Sequence, residues 1–135
     1  MNNRVVIDSS VWIKAHRNPD SSVATELRRL MRAQLAVGVG PVLTELLTGA
    51  RNDRLRQRAF AVFGAIEYLE ADDLTWRLAG DMRRRLVSAN LSIGFADSII
   101  AALAIQHGLA LYALDRDFER IDELRLHHVD KAKAT

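Results

Sequence analysis

The stretch Val5-Val6-Ile7-Asp8-Ser9-Ser10-Val11-Trp12-Ile13 decides how this chain reads. Arg4 to Ile7 has the short apolar character of a buried strand, and a polar break at Asp8-Ser9-Ser10 leads into a brief helix holding Val11, Trp12 and Ile13. An aspartate placed directly after such a strand sits at the strand's carboxyl end. In open α/β sheets, ligand sites form beyond those ends. The rest of the chain repeats the alternation.

After a turn at Asn18-Pro19-Asp20-Ser21-Ser22, apolar residues Val23, Leu27, Leu30 and Met31 recur at helical spacing. Leu35 to Val39 reads as a second strand, ended by Gly40-Pro41. Pro41 suits the first turn of a helix whose apolar face is Val42, Leu43, Leu46 and Leu47, closed by Gly49. Asn52 or Asp53 starts another helix, and Glu67 to Leu69 reads as a third short strand. Asp72-Asp73 caps a long helix to about Ser88, broken at Ala89-Asn90. A further amphipathic helix runs from Phe95 to His107 and stops at Gly108. Leu109 to Leu114 is an apolar strand, Asp115 to Leu124 a short helix, and Leu126 to Val129 a final edge strand. These strands and helices predict an α/β fold, a three-layer α/β/α sandwich around a short, mostly parallel sheet of about five strands. The 135 residues read as a single domain, 1–135, with a short polar tail from about 130, and without repeat or linker.

Composition narrows the chemistry. The absence of cysteine excludes thiol catalysis, zinc–thiolate sites and disulfides, and suits a reducing cytoplasm. The apolar run before Asp8 is too short for a signal peptide or a membrane span. Net charge is only +2, but 16 of the 19 basic residues are arginine, the better residue for forked contacts to phosphate. They cluster at Arg28, Arg29 and Arg32, at Arg51 to Arg58, and at Arg83-Arg84-Arg85. The plainer reading of these clusters is a set of solvated helix faces.

The acids carry the argument. Asp8 and Asp115 each follow an apolar strand, Asp117 lies two residues beyond Asp115, and Asp97 lies in the first turn of the helix before that strand. Glu45 stands on a helix beside Leu46. Each also has a structural reading. Asp8, Asp115 and Asp117 suit helix caps, Asp97 favours its helix N-terminus, and Glu45 suits an exposed helix surface. Together at one end of a sheet they would repel one another and raise their own pKa values, and a hard divalent cation relieves that repulsion. Mg2+ and Mn2+ prefer oxygen ligands, and no cysteine or spaced histidine pair offers a zinc site. Such a centre suits phosphodiester hydrolysis. His16, His107, His127 and His128 are scattered and read as structural, His107 as a helix C-terminal cap.

Four segments, in order, carry a family likeness: Val6-Ile7-Asp8-Ser9-Ser10-Val11-Trp12-Ile13, Pro41 to Arg51, Ala96-Asp97-Ser98-Ile99-Ile100-Ala101-Ala102, and Leu114-Asp115-Arg116-Asp117-Phe118. The chain resembles PIN-domain proteins, and within them the VapC-like toxins of toxin–antitoxin modules, from Val5 to about Val129. The resemblance implies a Mg2+- or Mn2+-dependent endoribonuclease that cuts structured RNA, such as tRNA or ribosomal RNA, and stops translation. It implies Asp8, Glu45, Asp97 and Asp115 as catalytic acids, with Asp8, Asp97, Asp115 and Asp117 toward the metal. Ser10 is placed to contribute a hydroxyl near Asp8, and Arg51 and Arg116 to meet RNA phosphate, although Arg116 equally suits pairing with Asp117. The resemblance also implies a homodimer and a small antitoxin partner that itself binds DNA, this chain making no direct DNA contact. Val11, Trp12, Ile13, Leu27, Leu30 and Met31 either line a groove for an antitoxin helix or belong to the core, and the core reading is preferred except at Trp12. One departure is Ala113, where many relatives carry Thr or Ser. Three other readings stand beside this one: a PIN nuclease of RNA processing, a catalytically weak PIN-fold binding module, and a haloacid-dehalogenase-type phosphatase. The last wants an aspartate where this chain has Ser10, and a lysine in a chain nearly without them.

Overall fold

The computed structural model describes residues 2–129; the expected polar tail from about 130 lies outside the described residues. Four strands, β1 (Val5–Ile7), β2 (Ala36–Val39), β3 (Glu67–Leu69) and β4 (Ala110–Tyr112), form one sheet in the order β3-β2-β1-β4. Every pairing is parallel, with Val6 opposite Val37 and Leu111, and Gly38 opposite Tyr68. All four carboxyl ends therefore share one edge. The strand order reverses around β1, with β2 on one side and β4 on the other, so the topological switch falls beside the end of β1, where Asp8 stands.

Six helices surround the sheet: α1 (Ser9–Arg17), α2 (Ser22–Arg32), α3 (Gly40–Gly49), α4 (Asp53–Ala65), α5 (Asp73–Ser88) and α6 (Phe95–Gln106). The alternation of a strand sends Val5, Ile7, Ala36 and Tyr112 into one core with Val11, Leu27 and Leu30 of α1 and α2. It sends Val6, Val37, Val39 and Leu111 into the other, with Phe63 and the near-continuous apolar run of α6. Helix α6 is buried from Ser98 to Ala104, which is why it lacks the polar stripe of a surface helix.

Helix ends follow local chemistry. Ser21, Asn52 and Asp72 accept from backbone N–H groups as N-caps. Thr75, wholly buried, completes a capping box with Asp72 and donates to Gln106 Oε1 at 2.5 Å, tying the start of α5 to the end of α6. Helix α6 stops in a Schellman motif: Gly108 takes φ +67, Leu109 N–H donates to Ala104 O and Gly108 N–H to Ile105 O. Asn90 and Gln34 play the same left-handed part after α5 and α2, at φ 60 and 59.

Two expectations need correction. The sheet has four strands, since the segment read as a fifth contributes only an isolated parallel bridge from Leu126 to Leu111. His127 closes the bridge with its N–H on Leu111 O at 2.7 Å, while its Nε2 lies 2.6 Å from Glu26 Oε2 on α2 and its ring packs edge-on against Tyr112. The short helix expected over Asp115 to Leu124 is a 3-10 turn at Arg116–Arg120, which ends as Ile121 becomes extended. Trp12 is half-buried against Phe63, with ring centroids 5.9 Å apart, and Val11, Leu27 and Leu30 are core.

Gly38 is required by packing. A Cβ there would stand 2.8 Å and 2.9 Å from the Phe63 ring, which has no room to retreat from a filled core. Gly38→Ala is expected to cost about 1–3 kcal/mol of stability, read by urea denaturation; an unchanged midpoint would show that Phe63 yields freely.

Candidate active site

Asp8 leaves the end of β1 and caps α1. It is 4% exposed, and its Oδ2 accepts from the Ser10 backbone N–H at 3.2 Å and the Ser10 hydroxyl at 2.5 Å. The Ser10 Oγ accepts in turn from Leu114 N–H at 3.0 Å. One hydroxyl thus joins the ends of β1 and β4, and the residue expected to serve substrate is engaged in holding Asp8. Asp115 caps the 3-10 turn through Asp117 N–H at 2.9 Å. The capping reading of Asp8 and Asp115 is therefore correct, and it fixes both carboxylates at the shared edge. Asp97 does no such work. It stands in the first turn of α6, but the cap position is Gly94, with no side-chain hydrogen bond.

Glu45 is exposed on α3, where Oε2 accepts from the buried Ser9 hydroxyl at 2.9 Å. Sequence reasoning gives Ser9 only a place near a helix start. Its partner lies 36 residues away, and the only local signal is the doubled serine after Asp8. Arg120 is the other residue it misses: Nη1 donates to Ser92 O at 2.9 Å while Nη2 stands 3.4 Å from Asp117 Oδ1. Arg116 does not pair with Asp117; its nearest acid is Glu119 at 3.9 Å, with the Arg116 side chain 89% exposed. Arg51 is exposed just beyond α3. Ala113 is half-buried against the core between β4 and Leu114.

Electrostatics joins the acids. Burial pushes the Asp97 carboxyl up to about 6, and the charges of Asp8, Asp115, Glu45 and Asp117 add to the rise. All four other acids therefore lie within electrostatic reach of Asp97. As the side chains stand, no three metal-ligating groups among the described residues converge on one point. Carboxylates do not close on each other without a counter-charge. The donor set is wholly oxygen, which fits a hard divalent cation and not zinc. Beside Glu45 an apolar hollow of about 420 Å3 is walled by Tyr68, Trp76 and Phe95. No helix among the described residues is long and apolar enough to cross a membrane.

The raised Asp97 pKa has a thermodynamic sign. Between the ordinary value of 3.8 and about 6, the folded chain binds more protons than the unfolded one, so stability falls as pH rises through that window. Asp97→Asn is expected to stabilise the metal-free protein at neutral pH by on the order of 1 kcal/mol, allowing for partial exposure. The gain should vanish below about pH 4 in thermal melts taken across pH; a gain equal at all pH values would place its cause elsewhere.

Comparison with known proteins agrees with this geometry. The family model described as the PIN domain matches residues 5–124. The chain is 31% identical over 121 residues to the VapC ribonuclease Mb1587 of Mycobacterium bovis and to ribonuclease VapC11 of Mycobacterium tuberculosis, covering 87% of this chain and 90% of each relative. Among solved structures, VapBC2 from Rickettsia felis, bound to a DNA fragment from its promoter, superposes with a TM-score of 0.78 at 24% identity, over 93% of this chain and 98% of that one. Through a match that spans both cores and all five acids, this chain belongs to the PIN-domain family and, within it, to the VapC-like proteins.

Proposed function

We propose that this chain is a Mg2+- or Mn2+-dependent endoribonuclease, the toxin of a toxin–antitoxin pair, which hydrolyses phosphodiester bonds in structured RNA such as tRNA or ribosomal RNA and so halts translation in the cytoplasm. The observation that carries the reading is the group of five acids coupled through Asp97 at the carboxyl edge of the sheet. The names of the curated relatives support the ribonuclease assignment. Asp8, Asp97, Asp115 and Asp117 would hold the metal, which supplies an acidified water and a positive charge beside the scissile phosphate.

The chain's own residues have separate tasks. Ser10 holds Asp8 in one orientation and locks the two strand ends at a fixed separation. Glu45, positioned by Ser9 and open to solvent, takes the proton of the attacking water as the new P–O bond forms, and the departing ribose oxygen takes a proton from solvent as its bond to phosphorus breaks. Arg51 and Arg116, exposed and without a close ion pair among the described residues, meet the RNA backbone. The assembled form is a homodimer with a small antitoxin that covers the acids. In the Rickettsia felis structure the complex carries promoter DNA, and we assign contact with DNA to the antitoxin.

Purified, antitoxin-free protein is expected to cut total RNA with Mg2+ or Mn2+ and to stop with chelator. Asp8→Asn and Asp97→Asn each keep side-chain shape but remove an anionic ligand, and should lower the rate at least about a hundredfold. Cutting that survives in both variants, or in chelator, overturns the assignment. Ser9→Ala is expected to lower kcat about tenfold by freeing Glu45, with KM little changed; a change confined to KM would remove Ser9 from this role.

A further inference from the structure

Five carboxylates repel the phosphate they are built to cut, so a strand of RNA needs fixed positive charge close by to enter. The structure offers such charge at a place the sequence leaves as a plain helix face. The C-terminal half of α5 and the loop before α6 border an open groove of about 400 Å3, lined by Arg83, Arg84, Val87, Ser88, Ser92 and Ile93.

Three features set these arginines apart from a solvated charge run. Arg83 uses only its Nε, donating to Ile93 O at 3.3 Å, and has no acidic partner among the described residues, so both Nη groups are unspent. Arg84 has one acid in range, Asp81 at 3.9 Å, with both side chains about 70% exposed, a pair that contributes little. Arg85, by contrast, is turned away and committed to Glu123 at 2.7 Å. The third feature is position. The same Ser92 that lines the cleft has its carbonyl held by Arg120, whose other Nη pairs with Asp117. A single guanidinium therefore separates the cleft from the acid site, and the loop continues through Gly94 into the turn that carries Asp97.

We propose that this cleft is a phosphate subsite for the RNA strand being cut. The Arg83 and Arg84 forks each grip one backbone phosphate, the two lying next along the strand from the scissile one, with Ser92 beside them. The inference rests on the ribonuclease reading and adds to it where the strand leaves the acids. Forked guanidinium contacts to phosphate carry no sequence information, so the subsite sets affinity and register and leaves the choice of RNA to other surfaces.

The test uses the Asp8→Asn protein, expected to bind RNA without cutting it, and a short fluorescein-labelled oligouridylate followed by anisotropy at several salt concentrations. Adding Arg83→Gln and Arg84→Gln is expected to weaken binding about tenfold at low salt and to lower the slope of log affinity against log salt by about 1.4, two single-strand phosphate contacts at about 0.7 each. Arg17→Gln with Arg32→Gln, which removes equal charge from α1 and α2, should leave the slope unchanged. Because Arg83 also holds the Ile93 carbonyl, Arg84→Gln alone and Arg83→Lys separate binding from loop damage: the first should lose about half the slope change and the second almost none. An unchanged slope in the double variant, with the Asp8→Asn parent still binding, overturns the cleft alone. Failure of the parent to bind any RNA overturns both the cleft and the ribonuclease reading.

Discussion

Crowding of like charge at one edge of a parallel sheet is the constraint around which this molecule is arranged. Asp8, Asp97, Asp115, Asp117 and Glu45 do not stabilise the fold by their mutual approach; burial raises the Asp97 pKa first, and the charges of the other four add to it. What holds them there is everything else. Two apolar cores fix the strands, the Ser10 hydroxyl joins the ends of β1 and β4, and Ser9 and Arg120 draw Glu45 and Asp117 into place. Such a site is held against its own repulsion at neutral pH, and the metal proposed above would relieve it.

Local chemistry made much of this legible. An aspartate after an apolar run gives both a strand end and a ligand-bearing edge, and this is so for Asp8 and Asp115. Caps at Ser21, Asn52 and Asp72, and stops at Asn90 and Gly108, are written in residue types whose preferences need no tertiary context. The family likeness also rested on spacing within short segments.

What was illegible is what depends on distant partners. Ser9 and Glu45 meet only because α1 packs beside α3, and nothing near either residue says so. Arg116 adjoins Asp117 in sequence yet points away from it, while Arg120, three residues on, shares its face of the 3-10 turn. The expected fifth strand likewise shrinks to a bridge at Leu126, and the His127 side chain beside it meets Glu26, 101 residues away and already forked by Arg29 at 2.6 Å and 2.9 Å. Gln34 in a left-handed conformation is a case where the hydrogen bonds of a helix stop, Gln34 N–H to Met31 O and Leu35 N–H to Leu30 O, override residue preference.

The two borders of the sheet bear on how this protein meets others. At one border β3 is only three residues long, with Glu67 paired to Arg4 at its start and Glu70 just past its end. At the other, the stretch from Arg125 to His127 lies over β4 and takes up the Leu111 amide and carbonyl. Neither border offers a long row of open backbone groups, so the sheet is a poor template for recruiting a foreign strand. Any companion that restrains it must read side chains on helices and loops, which makes recognition a matter of sequence and not of backbone pairing.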